Sequence, residues 1–208
     1  MNLPNKLTVF RVILVFVILI ISLINMKGTI LGIPINMFII DIIFIIASIT
    51  DKLDGYIARS TNQITTFGKF LDPIADKILV IVSMIILVEH SKIPSWIPAI
   101  IIMREFIVSG YRLIAVEKKG EVVAASIWGK LKTVTQMIAI ILAFIDTNPF
   151  GAIFTNSLTG YNFAINLIVT LMMIICVIAT IFSGWDYIKN GKDLLKWHYK
   201  KQKKGLMN

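Results

Sequence analysis

Apolar residues run along this chain in six long blocks, separated by short breaks rich in polar residues, glycine or proline. The blocks cover roughly Leu7–Met26, Asn36–Ala58, Leu71–Glu89, Ser95–Glu117, Thr133–Ile145 (extended back to about Ile127) and Tyr161–Tyr187. Most come close to the ~20 apolar residues that a helix needs to cross the hydrocarbon of a bilayer. The breaks carry turn formers: Gly28, Gly32 and Pro34; Ser91 to Pro94; Lys118 to Gly120; Asn148 to Gly151 with Gly160. This pattern predicts an all-α polytopic membrane protein with six transmembrane helices. Pro4 is well placed to start a short interfacial helix ahead of them. No repeat, low-complexity run or long linker divides the chain, so residues 1–208 read as one membrane domain with a basic tail from about residue 189.

Composition agrees. Hydrophobic residues make up 57% and charged residues 16%, with a mean hydropathy of +0.82. A soluble domain carries nearer 25% charge and could not hide this much apolar surface. The N-terminal stretch is similar to a signal peptide, but no small-x-small site follows within Ser22–Gly28, so it reads as a retained first helix. The single cysteine, Cys176, excludes an intramolecular disulfide and reads as packing.

The net charge of +9 excludes little until its placement is considered. With both termini in the cytosol, all but Lys27, Lys92 and Arg104 of the 21 lysines and arginines fall at inner helix ends or in the tail. That asymmetry orients helices and meets anionic headgroups, and it points away from nucleic acid as a partner. The chain is therefore expected to be integral to a cytoplasmic membrane, with its termini and its chemistry on the cytosolic side.

The charges that hydrophobic patterning does not explain are four aspartates at the inner ends of the second and third blocks. Asp51 and Asp54 are three apart, and Asp72 and Asp76 are four apart, so each pair shares a helix face. Two helices joined by a short loop are antiparallel neighbours, so both pairs can face one cleft. Acids near hydrocarbon are costly, and gathering them adds repulsion. Two divalent cations would cancel four negative charges, and all-oxygen ligation suits Mg²⁺ or Mn²⁺. A two-metal centre suits displacement at phosphorus. Arg59 can hold a phosphate oxygen, and Gly55 and Ala58 leave room beside the acids. A plain salt-bridge network with Lys52, Arg59, Lys69 and Lys77 accounts for some of this charge, but not for two acidic stripes with small residues between them.

Asp51-x2-Asp54-Gly55-x2-Ala58-Arg59-x8-Gly68-x3-Asp72-x3-Asp76 resembles, identity for identity, the signature of the CDP-alcohol phosphatidyltransferases. The resemblance implies that Asp51, Asp54 and Asp72 hold metal, with Asp76 sharing the second ion and acting as the base for the attacking hydroxyl. It implies that Gly55, Ala58, Arg59 and Gly68 frame the CDP group. The reaction would be attack of an alcohol on the lipid-side phosphorus of CDP-diacylglycerol, with CMP leaving. The segment Asn2 to Arg11 is similar to the N-terminal stretch of the glycerophosphate-using branch. There Asn5 and Thr8, one turn apart, would contact the nucleotide; Lys6 and Arg11 read equally well as snorkelling anchors. Members of the family are commonly homodimers.

The acceptor has to be read from other charges. Arg104 and Glu105 lie mid-block, where an ion pair bracing the helix is a competing reading; Arg112 lies two turns on; Lys130, Lys132 and Gln136 stand at the entrance of the next helix. Converging cations suit an acceptor that brings its own phosphate. Arg104-Glu105-Phe106 and Gly129-Lys130-Leu131-Lys132-Thr133 also resemble segments of the bacterial branch that makes phosphatidylglycerophosphate from glycerol 3-phosphate. Arg112, Lys130, Lys132 and Arg104 would then bind the acceptor phosphate. Inositol phosphate is the nearest competing acceptor, and the lysines can be ordinary positive-inside charge. A cation-coupled transporter would need mid-membrane acids and inverted repeats, neither of which is visible. His90 and His198 have no metal-ligand company.

Overall fold

The computed structural model describes residues 3–24, 26–60, 66–119, 127–155 and 157–190, with the side chains of 3–4, 52–60, 66–70, 112–119, 188 and 190 outside that description. Six long helices account for most of it: α1 (Leu3–Leu23), α2 (Ile35–Ser60), α3 (Thr66–Glu89), α4 (Trp96–Lys119), α5 (Ile127–Ile145) and, after the single turn α6 (Ala152–Thr155), α7 (Gly160–Asn190). Each long helix falls on one of the six apolar blocks.

The expected separate interfacial helix is not present. Pro4 sits in the first turn of α1, where its missing N–H costs nothing, and no glycine or proline interrupts Asn5–Leu23, so the polar entry and the apolar span form one 21-residue helix. The Gly28–Pro34 break is more ordered than a simple turn. Thr29–Ile30 (β1) pairs antiparallel with Ile33–Pro34 (β2) across Leu31 and Gly32, whose φ angles of 54° and 82° are both left-handed. That two-residue turn matches strand twist. Gly32 adopts it freely, and Leu31 accepts it with its side chain in the open.

Residue contacts divide the chain into two compact units, Met1–Ser95 with Met137–Leu171 and Trp96–Gln136 with Met172–Asn208. In the first, α1 packs along both α2 and α3. Its core holds Val15, Ile18, Met37, Ile40, Phe44, Leu79 and Met84, with Phe44 tilted against Phe144 at 6.5 Å. One end of this unit is tied by polar groups. Asp146 Oδ2 accepts from Asn166 Nδ2 at 2.7 Å, its Oδ1 accepts from the Asn148 amide at 2.9 Å, and its carbonyl accepts from Lys92 Nζ at 2.6 Å. Asn166 also caps the loop through the Pro149 carbonyl and the Ile153 amide. Burial pushes the Lys92 ammonium below the usual lysine range, and the negative charge of Asp146 offsets part of that shift.

In the second unit, Val108, Tyr111 and Tyr187 form a buried cluster, and Trp128 stacks on Phe182 at 5.1 Å. Both units turn large apolar side chains outward: Phe16 and Ile20 on α1, Ile46 on α2, Ile85 on α3, Phe106 on α4, Val134 on α5 and Ile181 on α7. Such stripes suit lipid as the solvent. Among the described residues, Asn5–Leu23, Ile127–Ile145 and Gly160–Tyr187 are long and apolar enough to cross a membrane. Helices α2, α3 and α4 have comparable length but carry charged side chains within them, among them Asp51, Asp72, Asp76, Arg104 and Glu105.

Candidate active site

Asn5, Thr8, Arg11, Val15 and Ile18 recur at helical spacing on α1, and all five are buried. The first three form a polar strip that continues an apolar one. Thr8 Oγ1 donates to Asp72 Oδ1 on α3 at 2.5 Å. One turn later, Arg11 Nη1 meets Asp51 Oδ1 on α2 at 2.7 Å. The first helix thus holds one acid from each acidic pair. Arg11 is 0% exposed, so it does not snorkel to headgroups as the sequence allowed; its charge is answered inside the protein. A buried guanidinium without such a partner would cost several kcal/mol.

Asp51 keeps a side-chain exposure of 34%, which leaves it half-open to solvent or to a ligand. Asp76, one turn beyond Asp72 on α3, is half-buried with its Oδ1 shielded from solvent. Pro73, between them in sequence, withholds one amide from the helix ladder. Asp54, Gly55, Ala58 and Arg59 lie on α2, Gly68 on α3 and Arg112 on α4, with their side chains outside the described residues. Among the described residues no three acidic, histidine or cysteine side chains come together as a metal-ligand group, and Asp54 was expected to supply the fourth carboxylate. The donor set nevertheless fits hard cations. Every candidate ligand is a carboxylate, and the contacts from Thr8 and Arg11 each use one oxygen of a two-oxygen group.

The expected acceptor residues belong to the other compact unit. Arg104 pairs with its neighbour Glu105 at 2.7 Å, as the bracing reading required. The same Glu105 oxygen also takes Lys132 Nζ at 2.7 Å, a contact that sequence spacing did not suggest. Arg104 donates further to Ser183 Oγ and lies over the Tyr187 ring, 5.8 Å from its centroid. Lys130 is exposed, whereas Lys132 is buried. An apolar groove beside Arg104, lined by Ile100, Met103, Ile107, Ile181 and Trp185, suits lipid chains better than a nucleotide.

Two buried acids went unread in the sequence. Asp41 lies ten residues before Asp51 on α2, and Asp146 anchors the loop network. Asp146 had a legible cue, since Asp-x-Asn can place a carboxylate on the amide two residues on. Asp41 had none beyond its charge.

Comparison with known proteins adds an independent line. The family model described as CDP-alcohol phosphatidyltransferase matches residues 1–185. A CDP-diacylglycerol–glycerol-3-phosphate 3-phosphatidyltransferase of Bacillus subtilis (strain 168) is 42% identical over 200 residues, covering 94% of this chain and 97% of its own. The protein of the same name from Haemophilus influenzae is 39% identical, covering 93% and 95%. The one from Escherichia coli (strain K12) is 42% identical over 145 residues, covering 67% and 74%.

Proposed function

Because the chain belongs to the CDP-alcohol phosphatidyltransferase family, we propose that it transfers the phosphatidyl group of CDP-diacylglycerol to glycerol 3-phosphate, giving phosphatidylglycerophosphate and CMP. The observation that carries the reading is the grip of α1 on Asp51 and Asp72 together, which fixes one acid from each half of the signature. The names of the relatives support glycerol 3-phosphate as the acceptor.

In this reading Asp51, Asp54, Asp72 and Asp76 hold two divalent cations, Mg²⁺ or Mn²⁺. When bound, such ions neutralise the acids and stabilise charge on the pyrophosphate oxygens. A hydroxyl of glycerol 3-phosphate forms the new bond to the lipid-side phosphorus. The bond from that phosphorus to the bridging oxygen breaks, and CMP departs with the electron pair. Asp76 takes the hydroxyl proton. Asn5, Thr8, Gly55, Ala58, Arg59 and Gly68 orient the CDP-lipid; Arg112, Lys130, Lys132 and Arg104 bind the acceptor phosphate. All six long helices span the cytoplasmic membrane, with termini and site at the cytosolic face and the working unit a homodimer.

Purified protein given CDP-diacylglycerol, Mg²⁺ or Mn²⁺ and a panel of acceptors tests this directly. Release of CMP should require glycerol 3-phosphate and fail with glycerol, serine or free inositol. Preference for inositol phosphate would change the acceptor and keep the chemistry. No CMP release with any acceptor would return the acids to a transporter-like role.

A further inference from the structure

Glu105 ties together more charge than it can neutralise. Arg104 and Glu105 are consecutive on α4, Lys132 lies in the second turn of α5, and Ser183 and Tyr187 come from α7, all within one compact unit. One oxygen, Glu105 Oε1, receives both Arg104 Nη1 and Lys132 Nζ, each at 2.7 Å. The three charges sum to +1, in helices whose outer faces are apolar. The Lys132 side chain is only 7% exposed, and Glu105 takes one of its three ammonium protons. Among the described residues, Arg104 Nε is buried without a hydrogen-bond partner. Buried donors of this kind stay costly until an acceptor reaches them, and a net positive charge selects an anion.

We infer that Glu105 is the positioning residue of an anion site: it draws the Arg104 and Lys132 side chains together so that their remaining N–H donors take the phosphate of the acceptor. This rests on the acceptor reading above and adds the group that assembles it. Glu105 touches neither substrate nor metal. It sets where two cations from different helices stand, and its single negative charge leaves them the excess that a phosphate needs. Ser183 and the Tyr187 ring hold Arg104 from the far side and limit its swing.

The test uses the purified full-length protein and the CMP-release assay, varying glycerol 3-phosphate and CDP-diacylglycerol in turn. Glu105→Gln keeps shape and removes charge, so the apparent constant for glycerol 3-phosphate should rise about tenfold, as loss of a charge-assisted contact implies. The constant for CDP-diacylglycerol should stay within about twofold, because uniform loss of fold would move both. In a Lys132→Ala background the same change should add less than about threefold, since the two side chains act as one unit. Glu105→Asp should fall between the unmodified protein and Glu105→Gln, and it carries the test alone if the glutamine variant does not fold. An unchanged acceptor constant, an equal rise in both constants, or full additivity would overturn the inference. Turnover with glycerol 3-phosphate but unaltered constants in Glu105→Gln sinks only the role of Glu105; no turnover with glycerol 3-phosphate in the unmodified protein sinks the acceptor reading itself.

Discussion

Thr8 on α1 donates its hydroxyl proton to Asp72 Oδ1 on α3 at 2.5 Å, a contact spanning 64 residues of sequence. Hydrogen bonds to a charged oxygen are short and strong, and they fix the carboxylate plane as well as its position. An acid oriented this way presents its second oxygen in a defined direction. Removing the donor while keeping the shape should therefore damage metal use before it damages the fold. Thr8→Val is expected to weaken apparent metal affinity by about 10- to 100-fold, the usual effect of losing a group that orients a ligand. Thr8→Ser, which keeps the hydroxyl, should stay close to the unmodified protein. Metal titration of CMP release checks both, and equal behaviour of the two variants would leave Thr8 as packing.

Arg11 is buried while Asp51 retains some solvent, so the two partners should respond unequally to deletion. Arg11→Ala exposes Asp51 to a cavity that water can enter, which puts the cost near the lower end for breaking a buried pair, about 3 kcal/mol. Arg11→Lys keeps the charge without the fork and should lose less. Thermal unfolding of the purified variants reads this. A melting temperature unchanged in Arg11→Ala would mean that the pair contributes nothing net.

The four aspartates should divide by role. Asp51→Asn, Asp54→Asn and Asp72→Asn are each expected to abolish turnover in a protein that still folds, and excess chelator should do the same to the unmodified enzyme. Asp76→Asn should bind CDP-diacylglycerol yet turn over at least ~100-fold slower, in the range for loss of a general base. Normal binding with normal turnover would demote Asp76 to a peripheral contact.

Lys92 supplies a pH signature. Its folded-state pKa lies below the ordinary 10.5 because the ammonium is desolvated, so the unfolded chain binds that proton more tightly. Between the lowered value and 10.5 the protein gains stability as pH rises, and below that window the full cost of burying the charged form is present. Lys92→Met has no proton to lose there. The difference in melting temperature between the unmodified protein and Lys92→Met should therefore shift in favour of the unmodified protein on going from neutral pH to about pH 10. A constant difference would assign Lys92 to its hydrogen bond with Asp146 alone.

Helix number and rough extent were legible in the sequence because lipid imposes a length on apolar blocks and because turn residues mark the breaks. The acid signature was legible because its spacing places pairs on helix faces. The contacts that join helices were not. Arg11 near an apolar block reads as a headgroup anchor until Asp51, forty residues on, is seen beside it. Lys132 reads as entrance charge until Glu105, twenty-seven residues earlier, is seen to hold it. Sequence periodicity reports which way a side chain faces on its own helix, not which helix stands opposite. The two-residue strands at Thr29 and Ile33 are too short to show alternation.

The grip of α1 on its neighbours is closed by residues that follow it in the chain. Helix α1 carries Arg11 at the head of an apolar segment and holds no acid of its own to meet it. A guanidinium without an acid favours water, so the buried place of Arg11 depends on Asp51 of α2, and the Thr8 hydroxyl finds its partner only in Asp72 of α3. The packing of α1 is in this way completed by α3. Substitutions of Asp51 and Asp72 therefore reach beyond the proposed reaction to the seating of α1 itself.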